Sequence, residues 1–194
     1  VEHLMNNNSN PTIAPYAKES DTILRITAKA SSEKECIELI KPIEEEIKSI
    51  LGEYIYGEDE DSLESVVSKL MINKKLNIGV AESCTGGMIS STLISYPGIS
   101  EVFNEGAVTY SNEAKIRRLG VKEETLEKFG AVSFEVAKEM CEGIAKTSQS
   151  NIGVSTTGIA GPSAYENAIV EDNVIDTTEI FHEEFDTEIV TEDN

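Results

Sequence analysis

The sequence predicts an α/β protein: a three-layer α/β/α domain with a largely parallel sheet, preceded by a small α+β strand–helix–strand unit. Two patterns carry that reading. Short apolar runs suited to buried strands, such as Ile78, Val80 and Ala81, alternate with stretches of helical spacing. An acidic run, Glu58-Asp59-Glu60-Asp61, separates the first sixty residues from the rest. The expected divisions are residues 1–60, 61–162 and an acidic tail over 163–194.

Residues 1–10, with Asn6-Asn7-Asn8-Ser9-Asn10, read as a disordered lead-in. Thr22 to Ala30 alternates apolar and polar residues and reads as a strand. Ser32 with Glu35 forms a capping box for a helix to about Leu51, which Pro42 should kink or split. Tyr54-Ile55-Tyr56 is expected to be a second short strand. The acidic run lacks the spacing of a calcium loop and reads as a solvated lead into a helix carrying Leu63, Val66, Val67, Leu70 and Met71. That helix delivers the chain to the Asn77 strand. A helix over Met88–Ile94, a turn at Tyr96-Pro97-Gly98, a strand over Gly106–Tyr110 and a helix over Glu113–Leu119 follow. Ser133 caps the next helix, with Val136, Met140, Ile144 and Ala145 inward, and Asn151–Thr156 is the next buried strand.

The chain is organised around Asn77–Gly87, where a strand turns straight into a helix. Such a junction aims free backbone N–H groups and a helix dipole at one spot, and Gly86 and Gly87 allow close approach. Ser83 and Cys84 sit in the turn, each able to act as a nucleophile facing oxyanion donors. An ordinary strand–helix turn with a Ser/Thr cap explains the same pattern. Three strand ends fall where α/β proteins build sites: Ser83, Tyr110–Lys115 and Thr156-Thr157-Gly158.

Composition narrows the chemistry. The 194 residues are 39% hydrophobic, with no apolar run near the length of a membrane span and no secretory pattern. Three widely spaced cysteines suit a reducing cytoplasm better than a disulfide framework. His3 and His182 are the only histidines, which supports neither a histidine triad nor a zinc site. A net charge of −20 argues against nucleic acid as a partner. Residues 163–194 hold 11 acids and no Lys or Arg. Val1 is not a usual initiator, which suggests a fragment or processed product.

A serine needs a base within hydrogen-bond reach, and Lys115 is the candidate if burial depresses its pKa. Tyr110, five residues earlier, spans a strand end and a first helical turn and could relay the proton. On spacing alone, Lys115 beside Arg117 and Arg118 reads as a surface charge and Tyr110 as a core-edge aromatic.

Four blocks occur in one order: Ala81-Glu82-Ser83-Cys84-Thr85-Gly86-Gly87, Gly106 to Lys115, Gly130-Ala131-Val132-Ser133, and Thr156-Thr157-Gly158-Ile159-Ala160-Gly161-Pro162. Together they resemble the C-terminal amidase domain of the CinA (competence/damage-inducible) family, and Ser9 to Lys18 resembles its preceding connecting domain. The resemblance implies deamidation of nicotinamide mononucleotide in the cytoplasm. Ser83 would be the nucleophile, Tyr110 and Lys115 its catalytic partners, and Cys84 a competing nucleophile or a small buried residue. Thr85, Gly86 and Gly87 would hold the oxyanion, and Thr156, Thr157 and Gly158 would line the nucleotide. It calls for no metal and no cofactor, a small-molecule nucleotide as ligand, no nucleic acid or membrane, and leaves homo-oligomerisation open.

The resemblance stops at Pro162. Family members continue with a glycine-rich segment, a further strand and an arginine-bearing helix; here the chain turns acidic. A disordered tail, or a docking helix on Phe181, Phe185 and Ile189, is expected there, with an uncovered sheet edge and impaired turnover. No block of these 194 residues resembles the nucleotide-cleaving domain of full-length relatives, so pyrophosphatase activity is not expected of them. The rival reading is a nucleotide-binding or interaction module that keeps the fold without the chemistry.

Overall fold

The computed structural model describes residues 1–18, 21–159 and the backbone of 177–182. They fall into two compact units, Val1–Asp61 and Ser62–Asn194.

The first unit opens with α1 (Glu2–Asn7), followed by β1 (Thr12–Ala17), β2 (Thr22–Thr27) and α2 (Glu33–Leu51). The lead-in is therefore helical rather than disordered. Leu4 is buried with Ile13 and Ile47, a contact that Asn-rich composition conceals. β2 pairs antiparallel with β1, Ile13 facing Ile26 and Pro15 facing Leu24. The expected partner strand at Tyr54–Tyr56 does not form; Gly52–Tyr54 is a 3-10 turn with Tyr54 exposed. After α1 the order is strand–strand–helix rather than strand–helix–strand, because a neighbouring hairpin supplies ladder partners with less chain closure than a strand beyond the helix. Ser32 accepts from the Glu35 N–H, while the Glu35 carboxylate turns back to the Ser31 N–H. α2 runs through Pro42 unsplit. Pro42 and Glu38 are both exposed, so water can satisfy the carbonyl that the proline leaves without a donor.

In the second unit, Ser62 and Ser65 cap each other at the start of α3 (Leu63–Lys74). Of its expected stripe, Met71 is buried whereas Leu63 and Leu70 are exposed. Then come β3 (Ile78–Glu82), α4 (Met88–Ile94), β4 (Phe103–Val108), α5 (Asn112–Leu119), α6 (Glu123–Phe129), α7 (Phe134–Ser148), β5 (Ile152–Thr157) and β6 (Thr177–His182). The sheet order is β4-β3-β5-β6. β3 lies parallel to both β4 and β5, with Val80 opposite Gly106 and Val154.

Strand alternation sorts two cores onto opposite faces of β3. Ile78 and Val80 pack with Met71, Leu93, Ile99 and Val102 on the α3–α4 side. Ala81 packs with Leu119, Val121, Val136, Met140 and Ile144 on the α5–α7 side. This is the α/β/α layering that the sequence predicts. Helix α7 lies close on the sheet: a Cβ on Gly153 would come within 2.5 Å of the Cys141 carbonyl.

The tail departs from expectation. Thr177–His182 pairs antiparallel with β5 across its whole length, Ile180 opposite Val154. An open parallel edge presents unpaired N–H and C=O groups, and a β-branched, aromatic segment such as Thr-Thr-Glu-Ile-Phe-His is suited to cover them. Phe181 thus lies in a strand, not a docking helix; Phe185 and Ile189 lie outside the described residues.

Candidate active site

β3 is buried along its entire length and ends between two parallel neighbours. The cores formed by the chain beyond β3 and beyond β4 lie on opposite faces, so the end of β3 is a topological switch point, where open α/β sheets leave a crevice. Ser83 extends the strand by one residue, its N–H donating to the Thr156 carbonyl at 3.0 Å. Its side chain sits just beneath the surface, at 6% exposure.

Lys115 arrives from α5. Ser111 caps that helix by accepting from the Ala114 N–H at 3.1 Å, and Lys115 lies one turn on. It is 1% exposed, so the surface-charge reading of Lys115 does not hold. Its Nζ reaches Ser83 Oγ at 3.0 Å, the Thr109 carbonyl at 2.8 Å and the Tyr110 carbonyl at 3.1 Å. Burial pushes the ammonium below its usual range, and the Cys84 sulfur pulls weakly the other way. A neutral amine has two N–H donors and one lone pair. In that form the two carbonyls would engage the donors and leave the lone pair for the Ser83 hydroxyl. The geometry therefore suits a serine nucleophile with a lysine base.

Tyr110 meets the lysine through its backbone. Its ring is 71% exposed, and among the described residues its hydroxyl bonds neither Ser83 nor Lys115. The turn after Ser83 needs glycine: Gly86 and Gly87 have φ of 62° and 104°. Their N–H groups are already engaged, Gly86 with the Ser83 carbonyl and Gly87 with the Glu82 carboxylate. The N–H groups of Cys84 and Thr85 have no acceptor among the described residues. These two, rather than the glycines, are available to a developing oxyanion.

Thr85 and Thr156 share a hydroxyl–hydroxyl bond of 2.7 Å, tying the turn to β5. Thr157 Oγ1 donates to the Ala131 carbonyl at 2.7 Å, which brings the Gly130–Ser133 segment to the same strand end. Gly158 makes room for the neighbouring thiol: a Cβ there would lie 2.9 Å from Cys84 Sγ. Cys84 is half-buried in that packing, whereas Ser83 alone of the two bonds the lysine.

Sequence reasoning passed over Glu82. It is fully buried, and its carboxylate accepts from the N–H groups of Gly87 (3.0 Å), Ile89 (3.0 Å) and Ser90 (2.9 Å) and from Ser90 Oγ (2.7 Å). Burial alone would raise its pKa, but hydrogen bonds from the Ser90 hydroxyl and N–H, then from the Thr85 hydroxyl and the Ile89 N–H, hold it below the usual carboxylate range. An acid closing an apolar strand just before a glycine pair was the available signal.

Fold and site together define an α/β domain with a serine–lysine pair at its switch point. The chain belongs to the CinA family: residues 60–170 match the CinA C-terminal domain, and residues 1–57 match the damage-inducible protein CinA KH domain. The match continues eight residues past Pro162, where the resemblance of individual motifs ends. A competence-damage inducible protein of Clostridium perfringens is 66% identical over 155 residues, covering 80% of this chain and 38% of that protein. One from Clostridium kluyveri is 61% identical over 162 residues, covering 84% and 40%. The chain thus spans about two-fifths of the length of these relatives. Among solved structures, a CinA superfamily protein from Escherichia coli aligns with TM-score 0.53 and 27% identity, over 70% of this chain and 87% of that one. A competence or damage-inducible protein from Enterobacter asburiae aligns with TM-score 0.51 and 32% identity, over 64% and 85%. Among the described residues, no helix is long and apolar enough to cross a membrane.

Proposed function

We propose that the Ser62–Asn194 unit hydrolyses the carboxamide of nicotinamide mononucleotide, giving nicotinate mononucleotide and ammonia. The observation that carries the chemistry is the 3.0 Å contact between Ser83 Oγ and a buried lysine whose other two partners are carbonyls. The substrate follows from the family resemblance of the surrounding motifs. Ser83 Oγ attacks the carboxamide carbon while its proton passes to the neutral Lys115 amine. The oxyanion is met by the Cys84 and Thr85 N–H groups. Lys115 returns the proton to the departing nitrogen, the C–N bond breaks and ammonia leaves. Water then attacks the acyl-serine and Lys115 takes its proton; the ester bond breaks to free the product as Lys115 returns that proton to Ser83 Oγ, restoring the hydroxyl and the neutral amine. No step needs a metal or cofactor.

The acidic ending, with 11 carboxylates over 163–194, works against a phosphate-bearing substrate. Sheet completion by β6 removes the other reason for expecting impaired turnover. The test is ammonia release from nicotinamide mononucleotide, with mass spectrometry of the quenched enzyme to find an acyl group on Ser83. Binding without ammonia release would favour the non-catalytic nucleotide module.

A further inference from the structure

Helix α4 starts without a capping side chain at its own N-cap, Gly87. Its N-terminal donors are gathered instead by a carboxylate from the preceding strand, reaching past the nucleophile. Helices are ordinarily capped by a short side chain next to the first turn. Burying a carboxylate without a cation is costly, and among the described residues Glu82 has no basic partner; four hydrogen bonds offset that cost. Such an arrangement fixes more than a helix end. The Glu82 carbonyl accepts from the Thr109 N–H at 2.7 Å, and the Thr109 carbonyl accepts from Lys115 Nζ, which bonds Ser83, the residue after Glu82. The bonds close a circuit from Glu82 through Thr109 and Lys115 to Ser83. The carboxylate anchors the far side of the same turn at Gly87.

We infer that Glu82 is a positioning residue for the reaction at Ser83: by holding Gly87, Ile89 and Ser90 it fixes the turn so that the Cys84 and Thr85 N–H groups face the reacting carbonyl. This deepens the amidase reading and rests on it. Glu82 acts through geometry: the three hydrogen-bond partners of Lys115 are all other groups.

Glu82→Gln keeps the shape but offers one acceptor oxygen where two accept four bonds. Its expected result is a kcat at least about tenfold lower with KM little changed, since small displacements at a reacting centre cost this much. The pH at which activity rises should not move. Ser90→Ala, which leaves three of the four bonds, should give a smaller loss in the same direction. A fluorophosphonate probe, measured by its labelling rate at Ser83, should slow in parallel. A folded Glu82→Gln protein with wild-type kcat and labelling would overturn the inference, as would a kcat loss accompanied by a shifted pH profile. If Glu82→Gln does not fold, Ser90→Ala decides: unchanged kcat and labelling sink the idea. Should the wild-type chain release no ammonia, the substrate reading fails while the labelling comparison still tests Glu82.

Discussion

The two units use polar residues in opposite ways. In Val1–Asp61, charges pair at the surface: Lys34 with Glu38, Lys41 with Glu45, and Lys48 with Glu44 and Glu58, all well exposed. Such pairs contribute little, since solvent screens them and long side chains lose entropy in forming them. Around the end of β3, Glu82, Ser83, Thr109, Lys115, Thr156 and Thr157 are all buried. Water has little access to these groups, and protein partners hold them, Thr109 through its backbone N–H and carbonyl while its buried hydroxyl has no partner among the described residues. A chain tolerates that cost where a fixed geometry has work to do. Burial of polar groups, rather than their number, separates the unit that carries the candidate site from the other.

Removing the buried pair should break this contrast most strongly. Ser83→Ala and Lys115→Met are each expected to lower kcat by about a thousandfold or more, with the double variant little worse because the two act as one unit. Circular dichroism should show both folded. The pH profile adds a sign. The base is the neutral amine, so kcat/KM should rise with pH as Lys115 loses its proton, with a midpoint below the ordinary lysine value of about 10.4. Stability should also climb with pH between the folded and unfolded pKa, where the unfolded chain holds the extra proton. Lys115→Met should abolish both rises; an unchanged profile would assign the titration to another group.

Cutting the chain after Pro162 should have the next largest effect. It removes β6 and opens the β5 edge. A lower melting temperature and concentration-dependent aggregation are expected in light scattering. A truncated protein as stable and soluble as the full chain would mean that β6 contributes nothing.

Gly158→Ala should act more gently, by about 1 kcal/mol of overpacking against Cys84 Sγ. Adding Cys84→Ala should restore stability in a denaturant titration, and non-additive recovery is the outcome that identifies this contact.

Least of all should change on the exposed side of the comparison. Lys48→Ala is expected to leave ammonia release unaltered. A clear loss of activity there would show that surface pairing in the first unit matters to the second.

Local sequence determined much of this molecule. The strand–turn–helix at Ser83, the Ser133 cap and the helical spacing of Val136, Met140 and Ile144 depend on near neighbours, so they could be read directly. So could the offset that makes Lys115 a candidate base. Tertiary packing decided the rest. β1 was obscured because Pro15 interrupts its pattern, and β6 because its partner β5 lies twenty residues back. That Tyr110 presents a carbonyl and exposes its ring depends on how β4 meets α5. That Gly86 and Gly87 are already bonded, leaving Cys84 and Thr85 as free donors, depends on where the Glu82 carboxylate lands. Spacing limits which residues can meet; only burial and competing hydrogen bonds choose the atoms that do.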